Sequence, residues 1–202
     1  MNLIDDKTIK GIQSRVKSYL SNGIVKTRQS KEHVAFFVEN ANNSLDSAST
    51  LFDLSTNREL LDRIGRTKLN GFLWVINASY YSMFYMARAL IEDEGIKIHT
   101  DLSIHRVTFD VLIHFFYQNG KLQKKIIEDY FDAKAEVDEL LGKQKADELI
   151  ADYFSEKKKK STFTYETGVF AIQSKAKTSL DRAKKFNQEL IRLIKTDIQR
   201  PQ

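Results

Sequence analysis

GFLWVINASYYSMFYMARALIED, Gly71 to Asp93, decides how this chain folds. At 3.6 residues per turn the stretch is apolar nearly all round, the pattern of a helix at the centre of a bundle rather than on its surface. It approaches membrane length, but Asn77 and Arg88 sit inside it and its aromatics are spread along it instead of gathered at two ends. That distribution reads as the buried helix of a soluble bundle, with no membrane partner. The polar residues of such a helix are informative. Asn77, Tyr81, Tyr85 and Arg88 follow at steps of four, four and three and share one stripe. Either these groups are buried and hydrogen-bonded to neighbouring helices, or they face an interface or cleft; the sequence leaves both open.

Around this centre the helical period continues. In IDDKTIKGIQSRVKSYL, residues Ile9, Ile12, Val16 and Leu20 recur at helical spacing, and Ser21-Asn22-Gly23 breaks the run. A second helix is predicted over Lys31 to Leu54, with Ala35, Val38, Ala41, Leu45, Ala48 and Leu51 on one side. Ser55 to Asn70 reads as a polar link holding one short helical piece. Gly95 ends the central helix, and Asp101 or Ser103 is placed to cap the next one, Ile104 to Tyr117. Asn119-Gly120 turns the chain into a charged helix from Lys121 to about Ser155, with a break expected near Gly142. The last helix is predicted over Val169 to Ile198. A chain of 202 residues with one proline, Pro201, and eight glycines offers little to interrupt helices, so an all-α, up-and-down helical bundle is expected. Its organisation is read as an extra N-terminal accessory helix, 1–30, and one bundle domain, 31–200.

Composition narrows the chemistry. There is no cysteine, which excludes disulfides, thiolate catalysis and zinc-thiolate or iron-sulfur centres and fits a reducing, cytoplasmic setting. MNLIDDKTIK lacks the basic start and apolar core of a signal peptide. Net charge is +5 and the isoelectric point about 9.2, which permits attraction to a polyanion. No phosphate-binding glycine loop, HExxH, GxSxG or calcium loop occurs. His33, His99, His105 and His114 are nowhere three or four residues apart, so no metal site and no cofactor are expected.

Read as a unit, INASYYSMFYMARALIEDEGIKIHTDLSIHR resembles the HEPN family. The features that carry the likeness are an Asn, a Tyr-Tyr-x-Met-Phe core, an Ala-Arg-Ala-Leu end, a short glycine-containing loop and a His-Arg pair opening the next helix. AFFVENANNSLDSASTLF matches the preceding amphipathic helix of that family. KADELIADYFSEKKKKSTFTYETG and AKTSLDRAKKFNQELI match its closing pair, so the likeness covers about residues 31 to 196. The resemblance implies a bundle that forms a homodimer, in a family of ribonuclease toxins, nucleotidyltransferase-paired relatives and non-catalytic binding modules of toxin-antitoxin and defence systems. Active members carry an Arg, four to six residues and a His near the start of the closing helix, where the histidine exchanges protons and the arginine holds the scissile phosphate.

In this chain KKKKSTFTY, Lys157 to Tyr165, occupies that position. Lys160 stands for the arginine and Tyr165 for the histidine, a degenerate motif: lysine attracts phosphate as a point charge without the bidentate fork, and tyrosine is a poor proton acceptor at neutral pH. Arg28 and His33 match the spacing but precede the first family helix. Lys157, Lys158, Lys159 and Lys160 form either a solvated turn or a phosphate-facing patch; Tyr165 is either a packed tyrosine or a functional phenol. Arg88 either pairs with an acidic neighbour or projects into the cleft, and His105 either caps and packs or takes part in catalysis.

The expected function is therefore binding of RNA or nucleotide phosphates through Lys157 to Lys160 and Arg88. One alternative is a metal-independent ribonuclease using Lys160, Tyr165 and His105. A second is a non-catalytic module partnering a nucleotidyltransferase, with 1–30 as docking element and Tyr165 as a modification acceptor.

Overall fold

The computed structural model describes residues 5–66, 69–100, 103–141 and 162–195, with the backbone alone at 141 and 162–171. It is an all-α helical bundle. The helices are α1 (Asp6–Ser21), α2 (Val34–Thr56), α3 (Arg58–Arg63), α4 (Phe72–Asp93), α5 (Ile104–Leu112), α6 (Lys124–Leu141) and α7 (Thr162–Leu193). A π-helical turn, Ile113–Tyr117, prolongs α5. Two strands of two residues, β1 (Val25–Lys26) and β2 (Lys97–Ile98), pair antiparallel with Val25 opposite Ile98 and Lys26 opposite Lys97. Among the described residues no helix is long and apolar enough to cross a membrane.

Local chemistry explains where these helices stop. Asp5 caps α1 by accepting from the Thr8 amide at 2.7 Å, which satisfies one of the free donors of the first turn. At the end of α4, Gly95 takes φ +70°, and the amides of Gly95 and Ile96 reach back to the carbonyls of Glu92 and Ile91. This is the glycine-terminated closure that a left-handed residue permits. Gly120 closes the π-helical turn in the same way. Ser103 is the N-cap of α5 but makes no side-chain cap bond. α7 begins at Thr162, about two turns before the predicted Val169, because Gly168 lies inside the helix; an interior glycine costs only about 1 kcal/mol and does not by itself end one.

The chain forms two compact units. The first gathers Met1–Asn42, Ser82–Tyr130 and Lys185–Gln202. Here α1 packs on α5, with Ile12 and Val16 fully buried; such side chains contribute about 1.5–3 kcal/mol each. α2 and α4 run antiparallel, since His33 meets Glu92, Phe37 meets Arg88 and the Ala41 carbonyl meets Ser82. Ser82 donates to Ala41 O at 2.7 Å and accepts from Asn187 Nδ2 at 2.7 Å, tying α2, α4 and α7 by one buried rung. Tyr130 stacks on Phe186 at 5.3 Å beside it. The second unit gathers Asn43–Tyr81 and Phe131–Lys184. Its core includes Ala48, Leu61, Val75, Ile76, Ala133, Ala176 and Leu180. Glu136 on α6 accepts from Ser179 at 2.7 Å and from Arg182 at 2.9 Å on α7, and the Gly71 amide donates to Ser55 at 2.8 Å.

Candidate functional site

Arg88 is the charged residue that the central helix places in its own interior, and in the first unit it lines a cavity of about 460 Å³ with Ile98, His99, Thr100 and Ile104. That volume lies within the range of small-molecule sites, about 300–1,000 Å³. Each wall has a sequence cause. Arg88 sits one turn before the end of α4. Ile98 belongs to β2, and the His99 amide donates to Ile24 O at 2.7 Å, so the two-residue ladder fixes the loop across from Arg88. Ile104 is the first residue of α5, whose opening amides have no partner within the helix and carry partial positive charge.

Arg88 is only partly exposed. Its guanidinium lies 4.8 Å from the centre of the Phe37 ring, a contact of about 0.5–2 kcal/mol. Burial lowers its pKa from the ordinary value, and the nearby Glu92 carboxylate acts in the opposite direction. Among the described residues it makes no hydrogen bond or ion pair, which leaves its five donors available. None of the five lining residues is acidic. A half-buried cation with unused planar donors, at the mouth of a helix N-terminus, is built to take an anion, and a phosphate suits the guanidinium fork.

Behind Arg88 lies an ionic cluster. Glu92, with a side chain 4 % exposed, faces His33 Nδ1 at 3.3 Å and Lys97 Nζ at 3.8 Å. Lys97 also donates to Glu32 at 2.5 Å. The buried Asp93 accepts from the Lys195 amide at 2.9 Å and faces Lys31 at 3.7 Å. A second depression, about 260 Å³, is lined by Arg28, Glu94, Phe115, Phe116 and Lys121 among others; there Lys121 already pairs with Glu94 at 2.8 Å.

The residues expected from sequence are distributed unevenly. Arg88 lines the cavity. His105 packs its ring 4.3 Å from that of Phe84, one residue after Ile104 of the cavity wall. Lys157, Lys158, Lys159 and Lys160 lie outside the described residues, and Tyr165 is described only as backbone within α7. Of the stripe on α4, Asn77 and Tyr81 belong to the second unit, where Asn77 Oδ1 is buried with no hydrogen-bond partner among the described residues; Tyr85 and Arg88 belong to the first. His99 and Thr100 are not among the site residues expected from sequence, since it is the β1–β2 pairing that brings them to Arg88. Comparison with family models, with characterised proteins and with solved structures finds no match to this chain.

Proposed function

We propose that this chain is a HEPN-like helical protein that binds the phosphate groups of RNA or of a nucleotide, with Arg88 as the anchoring cation. The observation that carries the reading is the Arg88 guanidinium, half-buried in a cavity without acidic walls and free of any ion pair among the described residues. The likeness of residues 77–106 to the family supports it, as does the net charge of +5. His99 and Thr100 add polar residues to the lining. Lys157 to Lys160, outside the described residues, are kept in this reading as phosphate-binding candidates from the sequence, and pairing of two copies belongs to it as well.

Fluorescence anisotropy with a labelled oligoribonucleotide, and competition by a mononucleotide, separate the two phosphate sources. Arg88→Ala is expected to weaken binding by roughly ten- to a hundredfold, and Arg88→Lys by less, because a point charge retains attraction but not the fork. Equal affinity for wild type and Arg88→Ala would remove the site. Sedimentation equilibrium measures the pairing, and a single-copy mass at all concentrations would remove that part.

A further inference from the structure

Two carboxylates, Glu92 and Asp93, are buried in the last turn of α4, where the helix dipole is negative and cations are the favoured side chains. Asp93 is accounted for by the Lys195 amide and Lys31. Glu92 is one helical turn from Arg88, the i, i+4 spacing at which such a pair ordinarily closes. Here it does not: Glu92 is turned to His33 and Lys97, and no ion pair joins it to Arg88. Lys97 in turn sits opposite Lys26 in the β1–β2 ladder, a like-charge placement that is unfavourable on its own. It is held there by Glu32 at 2.5 Å and Glu92 at 3.8 Å.

Resting on the phosphate-site reading above, we infer that Lys97, aided by His33, is a positioning residue that holds the Glu92 carboxylate away from Arg88 and so keeps the guanidinium open to an incoming phosphate. With Lys97 and His33 present, the Glu92 carboxylate has partners at 3.8 and 3.3 Å, and it acts on Arg88 through space without closing an ion pair. Without Lys97, Arg88, one turn back on the same helix and already within the electrostatic reach of Glu92, is the cation toward which the carboxylate can turn. The carboxylate then takes the donors that the phosphate needs, and the site closes on its own acid. Glu32 tunes the device, since it competes with Glu92 for the same ammonium.

The test measures binding of a short fluorescein-labelled oligouridylate by wild type, Lys97→Met, Glu92→Gln, the double variant Lys97→Met/Glu92→Gln, and Lys97→Arg. Lys26→Met serves as a control that removes one charge from the facing position without touching Glu92. Lys97→Met is expected to weaken binding roughly tenfold, Lys26→Met by no more than about twofold, as for an exposed charge in high dielectric. The double variant and Lys97→Arg recover wild-type affinity, and Glu92→Gln binds at least as well as wild type. A merely structural role for Lys97 would lower the melting temperature in both Lys97→Met proteins and leave the double variant as weak as the single one. That result overturns the inference, as does an equal loss in Lys26→Met. If wild type binds in an Arg88-dependent way while Lys97→Met is unchanged, the inference fails and the site stands; if wild type does not bind, both fail.

Discussion

Arg88 shows how much of the candidate site can be read one residue at a time. A cation inside an otherwise apolar helix is visible in the sequence, and so is its i, i+4 partner Glu92. Which of the two readings applies, ion pair or open cation, depends on where Lys97 and His33 lie. Lys97 is placed by a two-residue ladder too short to leave a periodic signal, and His33 directly precedes α2. His99 and Thr100 were hidden for the same reason. Gly95 is a single residue on which this geometry turns. Its φ is +70°, its carbonyl accepts from the Gln29 amide at 2.9 Å, and an added Cβ would stand 3.0 Å from the Gln29 carbonyl oxygen. Gly95→Ala is expected to destabilise by about 1–3 kcal/mol, since both the left-handed backbone and the contact oppose a side chain. Chemical denaturation measures it, and a change under about 0.5 kcal/mol would contradict the account.

The elements were more legible than the site. The central helix, its glycine stop and the short helix in the link follow from period and turn chemistry, and α4 begins within a residue of the expected start. The π-helical turn after α5 carries no such signal. The apolar positions of α1 form one stripe in the sequence, and Ile12 and Val16 are buried, yet its firmest tie is polar. Arg15 donates two hydrogen bonds of 2.7 Å to Asp110, whose side chain is 1 % exposed, and Tyr19 donates a third at 3.0 Å. A link between residues 95 apart in sequence cannot be found from spacing. Arg15→Ala is expected to cost about 3 kcal/mol, because among the described residues it leaves the buried carboxylate hydrogen-bonded to the tyrosine hydroxyl alone. Adding Asp110→Asn should recover a large part by removing the buried charge. Hydrogen exchange locates the effect: α1 amides should exchange faster in Arg15→Ala, and unchanged protection would contradict the role given to this pair.

On the scale of the whole molecule, paired charges make stability depend on pH. Glu94 is held below its ordinary 4.5 by a hydrogen bond from Lys121, and Glu32 by one from Lys97. A carboxyl depressed on folding contributes stability that is complete above its unfolded value and is lost as pH falls through its folded value. The melting temperature should therefore hold as pH is lowered toward 4.5 and drop below it. Lys121→Met should flatten that drop, and an identical acid limb would contradict the assignment. For the proposed phosphate site the response to salt reports the cations engaged. Binding to single-stranded RNA loses affinity with salt at a slope of about 0.7 per phosphate neutralised, so each contact can be counted. The most direct measurement is the slope of log affinity against log salt concentration for wild type and Arg88→Ala on one labelled oligoribonucleotide. If Arg88 anchors a phosphate, affinity falls and the slope becomes shallower by about 0.7 in the variant. Superimposable lines for the two proteins would mean that Arg88 meets no phosphate and that the cavity is not the site.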